Sequence, residues 1–277
     1  MRTVKAHGAE IPALGFGTFE LAPDDAHRMV AHALKTGYRH IDTAQIYRNE
    51  DAVGTALAES DVDRGDVFLT TKVWVDRFGD GDLQRSVEES LKRLRTDHVD
   101  LLLLHWPNPD VPLSETLKAL NEVRDEGLTR HIGISNFTVE LIEEAVSLSA
   151  APLATNQVEY HPFIDQRPVS DALARHHMAL SAYCPLARGG VFRNPTLDRI
   201  GRRHDKSPGQ VALRWLLQQD NVVALPRSGN EAHADDNLAV LDFELSEAEM
   251  HEIFELHSPD GRLISPEGLA PAWDTAA

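Results

Sequence analysis

Three ionisable residues close three successive apolar stretches of the chain. Asp42 ends the first stretch, Lys72 ends the second, His105 follows the third, and Tyr47 lies five residues beyond Asp42. Each has a simple structural explanation by itself: Asp42 as a helix cap, Lys72 as a charged group at a sheet rim, and His105 as a buried histidine. Together, a carboxylate, an ammonium, an imidazole and a phenol near consecutive strand ends predict a site for acid–base chemistry.

Short apolar strands alternate with amphipathic helices along the chain, and these elements must position the ionisable groups. From the first strand end to the last there are 208 residues in seven intervals, or about 30 residues per unit, the size of a strand, a helix and two loops. This repeat predicts an α/β fold, a closed (β/α)8 TIM barrel, in which active groups lie at the carboxyl ends of the strands. The strands are predicted to end near Phe16, Asp42, Lys72, Leu104, Ile134, Val158, Ala182 and Ala224.

The helix boundaries carry recognisable signals. A helix over Asp24–Thr36 has its apolar residues on one face and is followed by Gly37, a residue typical of helix ends. Capping boxes that begin at Ser207 and at Ser246 predict two further helix starts. The alternative fold, an open doubly wound sheet, would be expected to begin with a G-x-G-x-x-G turn, and Gly15–Gly17 does not continue in that way.

The two ends of the chain fall outside this repeat. Residues 1–12 are predicted to form a small β-hairpin with Gly8 in its turn. Residues 257–277 show little periodicity and contain prolines, so we expect them to lie as a loop over the active-site face of the barrel. Because no Gly/Ser-rich linker interrupts the chain, we expect one domain spanning residues 1–277.

The composition argues against several classes of partner. A formal net charge of −17 disfavours binding to nucleic acid or to an anionic membrane, and no stretch reaches the roughly 18 apolar residues of a membrane helix. The first residues contain no apolar signal segment, and Cys184 is the single cysteine, so we expect a cytoplasmic protein without an intrachain disulfide. No H-E-x-x-H motif or Cys/His cluster is present, so we expect no metal site.

The acidic charge has an unusual origin. The chain contains 24 Asp, and its basic residues are 21 Arg but only 6 Lys. One interpretation is the composition of a GC-rich genome. The other is adaptation to high salt, where screening removes the self-repulsion of a carboxylate-rich surface. The sequence leaves both interpretations open.

Seven short segments carry a distinctive pattern. They are Gly37–Glu50, Leu69–Trp74, Leu104–Pro107, Ile132–Phe137, Asn156–Gln157, Ala182–Leu186 and Leu225–Ser228. In this order they resemble the motifs of the aldo-keto reductases, and the pattern is most similar to the prokaryotic branch that includes 2,5-diketo-D-gluconate reductases. The resemblance runs from the N-terminal hairpin to Asn237 and implies NAD(P)H-dependent reduction of aldehydes, small ketones and dicarbonyls such as methylglyoxal.

The resemblance implies a role for each of the four residues at the strand ends. Tyr47 would give a proton to the carbonyl oxygen as the general acid, and Lys72 would lower its pKa by favouring the phenolate. Asp42 would pair with Lys72 and fix its position. His105 would donate a hydrogen bond to the substrate oxygen, and the hydride would come from reduced nicotinamide because no side chain can supply one.

The resemblance also implies contacts for the cofactor and the substrate. Ser135, Asn136 and Gln157 match the positions that hold the nicotinamide carboxamide, and Tyr183 matches the aromatic residue on which the ring stacks. The substrate pocket is expected to have an apolar wall made of Phe19, Trp74 and Trp106. The remaining expected cofactor contacts are Thr18, Pro185, Leu186, Arg227, Ser228, His233, Asp236 and Asn237.

One segment departs from the pattern of the family. The usual sequence there is Pro-Lys-Ser, four residues, Arg, two residues and Glu-Asn, and its two basic residues contact the 2′-phosphate of NADPH. Here Arg227 replaces the lysine and His233 replaces the distal arginine, while Asp235 and Asp236 are expected to add negative charge near the phosphate. We therefore expect NADPH as the cofactor, with a weakened preference and real use of NADH. The alternative is that Arg227 and Ser228 suffice and that the preference for NADPH survives.

A second function stays open. Some relatives of this fold bind the cofactor but serve as regulatory subunits of membrane channels, and they retain similar residues. We expect an enzyme that acts on a small carbonyl substrate as a monomer. Oxidation of the reduced cofactor in the presence of simple aldehydes separates the two functions.

Overall fold

Eight short parallel strands form the centre of the molecule. The structure, a computed structural model, describes residues 2–274. Nearly every side chain of these strands is buried, because one face of the sheet lines the barrel interior and the other is covered by helices. The strands are β3 (Phe16–Gly17), β4 (His40–Asp42), β5 (Phe68–Val73), β6 (Val99–Leu104), β7 (Thr129–Ser135), β8 (Leu153–Glu159), β9 (Ala179–Tyr183) and β10 (Val222–Leu225), after a hairpin of β1 (Thr3–Ala6) and β2 (Ala9–Pro12).

The sheet closes between its first and last strands. Each strand from β3 to β10 pairs in parallel with the next along the chain. Gly15 N–H donates to Ala224 O at 2.9 Å, and Ala224 N–H donates to Ala13 O at 2.8 Å. Gly17 N–H adds a third bond to Pro226 O at 2.9 Å. These bonds join the two edges, so the predicted (β/α)8 barrel is confirmed and the open doubly wound sheet is wrong.

Helices surround the barrel, and their ends follow the signals in the sequence. Gly37 ends the first helix with φ 116°, a left-handed conformation that glycine adopts without a steric penalty. The capping boxes at Ser207 and Ser246 are both formed. The helices are α1 (Pro23–Thr36), α2 (Glu50–Glu59), α3 (Asp82–Leu94), α4 (Leu113–Asp125), α5 (Val139–Leu148), α6 (Arg167–Arg175), α7 (Pro195–Arg203), α8 (Pro208–Gln218), α9 (Glu231–Leu238) and α10 (Glu247–Phe254).

The N-terminal hairpin lies at the end of the barrel where the strands begin. Its buried residues alternate along β1 and β2, as a two-residue period requires. Arg2 donates to the carbonyl oxygens of Leu217 and Gln219, just before β10 begins, and His7 Nε2 lies 2.7 Å from His176 O, just before β9. The predicted hairpin is therefore present, and it leaves the opposite end of the barrel open.

The C-terminal segment crosses that opposite end. Residues 257–274 contain no helix or strand, and the amides of Leu263 and Ile264 donate to the Glu159 carboxylate at the end of β8. The indole of Trp273 packs edge-on against Trp106, with ring centroids 6.1 Å apart. This much of the expected loop lies where we predicted it. Residues 275–277 of that loop, and Met1 of the hairpin, fall outside the described residues. The organisation of the chain as one domain stays a prediction.

Within residues 2–274, no helix is both long and apolar enough to cross a bilayer.

Candidate active site

A large cleft opens at the carboxyl ends of the strands. Its volume is about 1180 Å³, which exceeds the roughly 300–1,000 Å³ of a typical small-ligand site. The cleft therefore has room for an extended ligand and a small substrate together. Predicted site residues that line it are Phe19, Asp42, Tyr47, Trp74, His105, Trp106, Ser135, Asn136, Gln157, Tyr183, Pro185, Leu186, Arg227, Ser228, His233, Asp236 and Asn237.

Two predicted residues do not line the cleft. Lys72 lies beneath its floor with no exposed surface. Thr18 is also fully buried, and its hydroxyl donates to the carbonyl oxygen of Asp42 at 3.1 Å. The structure thus places the Thr18 side chain in the scaffold that supports Asp42.

A buried ion pair forms the floor of the cleft. Lys72 Nζ donates to Asp42 Oδ1 at 2.6 Å and to Thr43 O at 2.9 Å. The second carboxylate oxygen of Asp42 accepts from Gln157 Nε2 at 2.8 Å. Burial lowers the pKa of Lys72, whereas the Asp42 charge acts to keep the ammonium protonated. Strands β4, β5 and β8 contribute one residue each, so closure of the barrel fixes this group.

Tyr47 stands above this pair. It ends a single 3-10 turn over Gln45–Tyr47, and its phenol oxygen lies 3.4 Å from Lys72 Nζ. Gln45 fixes the turn, because its amide oxygen accepts from Trp74 N–H at 2.9 Å. Burial first, and then the Asp42 charge, raise the pKa of Tyr47 well above its usual value.

The expectation that Lys72 would lower the pKa of Tyr47 is therefore wrong, because burial raises that pKa. The ammonium is paired at 2.6 Å with Asp42, and the negative charge of Asp42 opposes the phenolate, so Lys72 does not outweigh the effect of burial. Burial then determines the direction of the shift, because a phenolate loses its hydration there. The phenol stays protonated at neutral pH.

His105 faces Tyr47 across the floor. Its ring packs edge-on against Tyr47 and Trp74, with centroids 5.6 and 5.2 Å apart. Burial first, and then the Lys72 charge, lower its pKa well below the usual value, so the imidazole is neutral and carries a single N–H. Nδ1 is buried and has no hydrogen-bond partner among residues 2–274.

A polar cluster lies beside these groups along β7, β8 and β9. The Tyr183 hydroxyl donates to Asn136 Oδ1 at 2.8 Å, and Asn136 Nδ2 donates to His105 O at 2.9 Å. Asn136 has a left-handed backbone with φ 64°, so its side chain is held in an unusual direction. Ser135 Oγ donates to the carbonyl oxygen of Gln157 at 2.8 Å. These contacts fix the Asn136 amide, the Ser135 hydroxyl and the Tyr183 ring at the cleft wall.

The far end of the cleft is formed by the segment after β10 and the start of α9. Asn230 caps this helix, and its Oδ1 accepts from the His233 amide at 3.3 Å. Asp236 lines the cleft, but Asp235 points toward α1, where its carboxylate lies 2.8 Å from His32 Nε2. The expectation that both carboxylates stand near the cleft is therefore wrong for Asp235, because successive residues of a helix face different directions.

Sequence reasoning missed Glu20 at this end. Its carboxylate accepts from Arg188 Nη2 at 2.6 Å and from Arg227 Nη2 at 2.9 Å. Glu20 is one of 44 acidic residues and follows no motif, so only the folded arrangement reveals it. Other residues that line the cleft include Ile46, Cys184, Gly189, Phe192, Ser207, Gly209, Asn230, Ile264, Pro266 and Leu269.

The surroundings of two of these residues, Cys184 and Gly209, limit what they can do or tolerate. Burial raises the pKa of the Cys184 thiol to about 11, so it is protonated and a poor nucleophile at neutral pH. At Gly209 a Cβ atom would come 2.7 Å from Phe192 Cζ, so a larger residue would require this exposed ring to shift at the cleft edge. Within residues 2–274, no group of three or more His, Cys, Asp or Glu side chains could hold a metal ion.

Comparison with known proteins gives the family. Residues 13–258 match the family model described as the aldo/keto reductase family. The chain belongs to the aldo/keto reductase family. It is 44% identical over 267 residues to the methylglyoxal reductase DkgB of Salmonella typhi, covering 95% of this chain and 99% of that one. It is 40% identical to the glyoxal reductase of Bacillus subtilis over 269 residues, covering 96% and 97%.

Solved structures agree with this aldo-keto reductase over almost the whole barrel. A putative 2,5-diketo-D-gluconic acid reductase B is 53% identical, with a TM-score of 0.98 and coverage of 99% of this chain and 98% of that one. A point mutant of Gox0644 in complex with NADPH is 34% identical, with a TM-score of 0.89 and coverage of 95% and 96%. The resemblance stated from the sequence is confirmed, including its similarity to the diketogluconate reductases.

The cleft of this aldo-keto reductase fits a nicotinamide cofactor. The two ends of the cleft differ in character: the floor holds a phenol and an imidazole, and the far end holds Arg227 and the start of α9. Gln157 Nε2 is committed to Asp42, whereas Gln157 Oε1 has no hydrogen bond within residues 2–274 and can accept one from a ligand amide. The protein is thus an oxidoreductase of carbonyl compounds whose cleft suits the cofactor of its family.

Proposed function

We propose that this aldo-keto reductase reduces aldehydes and small dicarbonyls such as methylglyoxal, with Tyr47 as the proton donor and NADPH as the main cofactor. The single observation that carries this proposal is the meeting of Tyr47, the Asp42–Lys72 pair and His105 at one cleft floor. The names of the two curated relatives, a methylglyoxal reductase and a glyoxal reductase, support the substrate class.

Tyr47 moves the proton. Its pKa is raised by burial, so the phenol holds its proton until the carbonyl oxygen gains negative charge. As the proton leaves Tyr47 Oη, the ammonium of Lys72, 3.4 Å away, stabilises the phenolate that forms. Asp42 keeps Lys72 in place and shares its carboxylate with Gln157, so the distance to Tyr47 does not depend on solvent.

His105 orients the substrate. A neutral imidazole with one N–H can donate a single hydrogen bond to the carbonyl oxygen without adding a competing charge beside Lys72. Trp74 supports the ring at 5.2 Å between centroids. Phe19, Trp74 and Trp106 line the cleft and would form the apolar wall of the substrate pocket.

The cofactor supplies the hydride when it is bound, since no side chain can. Gln157 Oε1 would accept a hydrogen bond from the carboxamide. Ser135 Oγ donates to the carbonyl oxygen of Gln157 and accepts from Asn136 Nδ2, so the three residues are joined. Tyr183 is held by Asn136 and offers its ring for stacking, while Pro185 and Leu186 continue the same wall. These residues would hold the nicotinamide end of the cofactor beside the groups on the floor.

The far end of the cleft would hold the 2′-phosphate. Arg227 has the planar fork that matches phosphate oxygens, and Ser228 and His233 lie beside it. Asp236 lines the same surface and opposes a phosphate dianion. We therefore propose that NADPH is preferred but that NADH is used measurably.

A substrate panel tests the proposed activity. Purified protein with NADPH should reduce methylglyoxal, glyoxal, simple aldehydes and small diketones, measured as loss of absorbance of the reduced cofactor. Activity on one substrate only would contradict the broad range. No activity on any of them would contradict the reductase function and favour the alternative, a regulatory subunit of a membrane channel. The reductase names of the relatives do not support that alternative.

The cofactor preference has its own test. His233→Arg should tighten NADPH more than NADH by restoring a cation at the distal position, and the gain should be larger at low salt. His251→Arg is the matched control, because it makes the same change on α10 at a side chain that is 76% exposed and does not line the cleft. Wild-type protein without NADH activity, together with an inert His233→Arg, would contradict the proposal.

We also propose that the enzyme is a monomer of the cytoplasm. The single cysteine supports a reducing compartment, because it forms no intrachain disulfide. Size-exclusion chromatography with light scattering should give a mass close to 30.7 kDa. A mass near twice that value would contradict the monomer.

A further inference from the structure

One exposed carboxylate links two arginines at the rim of the cleft. Glu20 follows β3, Arg188 lies in the turn after β9, and Arg227 follows β10. Glu20 Oε1 accepts from Arg188 Nη2 at 2.6 Å, and Glu20 Oε2 accepts from Arg227 Nη2 at 2.9 Å. All three residues line the cleft, so any ligand that reaches its far end meets this group.

The contact with Glu20 occupies donors of Arg227 that a phosphate could use. Arg227 Nε donates to Phe19 O at 2.9 Å, and Nη2 donates to Glu20 at 2.9 Å. These two donors form one of the two edges by which a guanidinium binds carboxylates and phosphates with two parallel hydrogen bonds, and Nη2 belongs to both edges. A phosphate that approaches this edge must displace Glu20 or share Arg227 with it.

We propose that Glu20 is a specificity-determining residue that weakens the preference for NADPH over NADH by competing with the 2′-phosphate for Arg227. The inference rests on the proposed contact between Arg227 and that phosphate. NADH has a hydroxyl at this position, so it brings no dianion close to the Glu20 carboxylate and does not need to displace it.

The exposure of these side chains makes the competition possible. Glu20 is 45% exposed, and Arg188 and Arg227 are 49% and 39% exposed. Ion pairs at such exposure are weak, so an incoming phosphate can replace the carboxylate. A displaced Glu20 would still lie a short distance from the phosphate, and two like charges in a partly screened cleft repel each other. Both effects lower the affinity for NADPH alone.

The test measures cofactor binding without substrate. The dissociation constants of NADPH and NADH are determined by quenching of intrinsic tryptophan fluorescence for the wild type and for Glu20→Gln. The variant keeps the size of the side chain and removes its charge. We expect NADPH to bind about three- to tenfold more tightly and NADH to change by less than about twofold, with the gain shrinking toward about 1 M KCl.

Two further variants separate the competition from a general effect of the rim. Like Glu20→Gln, the variant Arg188→Gln loses the ion pair between Glu20 and Arg188. It keeps the Glu20 carboxylate beside Arg227, so it should not raise the affinity for NADPH relative to NADH. In Glu20→Gln/Arg227→Gln the gain for NADPH should disappear, because the phosphate no longer has the arginine for which Glu20 competed. An unchanged ratio in Glu20→Gln, or a raised ratio in Arg188→Gln, would overturn the inference.

Arg227→Gln alone shows which statement has failed. If this variant weakens NADPH more than NADH, the proposed phosphate contact stands, and an unchanged ratio in Glu20→Gln then contradicts only the competition. If Arg227→Gln weakens both cofactors equally, the phosphate contact itself is wrong, and the inference that depends on it is overturned too.

Discussion

The floor and the rim of the cleft are built on the same arrangement in two different environments. At the floor, Asp42 shares its carboxylate between Lys72 and Gln157, and all three side chains are buried. At the rim, Glu20 shares its carboxylate between two arginines, and each partner is more than a third exposed. The chemistry of the contacts is similar, so the difference in burial shows what solvent contributes.

Burial makes the contacts at the floor obligatory. A buried ammonium or carboxylate without a partner raises the free energy of the folded protein far more than an unpaired charge in water does. Asp42 and Lys72 therefore hold each other in one geometry. At the rim, water and salt replace a lost partner at little cost. The floor is therefore suited to fixing reacting groups, and the rim is suited to exchanging one partner for another when a ligand binds.

The largest expected effect is on stability at the floor. Asp42→Asn leaves the Lys72 ammonium buried without a countercharge, and we expect the free energy of unfolding to fall by about 3–5 kcal/mol. Glu20→Gln at the rim should change it by no more than about 1 kcal/mol. Urea unfolding of the two variants measures the difference. Equal losses would show that burial does not separate the two sites.

The next effect is on catalysis. Tyr47→Phe removes the proton donor, and kcat should fall about a hundredfold or more while the dissociation constant of NADPH stays nearly unchanged. Tyr160→Phe is the matched control, because its phenol donates to Gln219 and does not line the cleft. If Tyr47→Phe turns over like the wild type, Tyr47 has no part in the mechanism.

Glu159 combines features of the floor and the rim. It is buried like the floor residues, but it binds the C-terminal segment at the edge of the cleft. Its carboxylate accepts from the amides of Leu263 and Ile264 at 2.8 and 2.9 Å and lies 2.9 Å from His161 Nε2. Glu159→Gln has one acceptor oxygen instead of two, so the C-terminal segment loses a contact. We expect KM for the carbonyl substrate to rise about tenfold, with smaller changes in kcat, as the loss of a charged hydrogen bond implies.

The control for Glu159→Gln is Glu267→Gln, an exposed carboxylate in the same segment. It should leave KM unchanged and resist limited proteolysis like the wild type, whereas Glu159→Gln should be cleaved faster in residues 257–274. Unaltered KM and cleavage in Glu159→Gln would mean that other contacts hold the segment.

The floor also predicts a pH dependence of stability. Burial lowers the pKa of His105 and of His40, so both are neutral in the folded protein. The unfolded chain takes up protons on these histidines as the pH falls through about 6.5, so the free energy of unfolding should decrease below that pH. Melting temperatures between pH 8 and pH 5.5 measure this. His105→Gln should reduce the slope, and an unchanged slope would show that its burial contributes nothing.

The smallest effect concerns the exposed charges. If the aspartate-rich surface reflects adaptation to salt, the melting temperature should rise as KCl goes from about 0.1 M to molar concentrations, beyond the range where screening changes most. The gain should be similar in Glu20→Gln, because one rim charge is a small part of a net charge of −17. A flat or falling melting temperature would leave only the interpretation from genome composition.

Local patterns were enough to place the elements. The predicted strand ends at Asp42 and Leu104 coincide with the observed ones, and the other predicted ends lie within one residue of them. Periodicity, glycine at helix ends and capping boxes depend on residues that are close in sequence, so a single chain displays them directly. The residues at the strand ends come together because a closed barrel brings all carboxyl ends to one face.

Only the tertiary structure decided the electrostatics of the site. The raised pKa of Tyr47 depends on how much protein surrounds the phenol, and the direction of Asp235 depends on His32 in another helix. Glu20 meets Arg188 across 168 residues of chain and Arg227 across 207, and no spacing in the sequence predicts such partners. The sequence alone thus determined which groups are available for chemistry. Burial and long-range contacts, which exist only after folding, decided which charges offset each other.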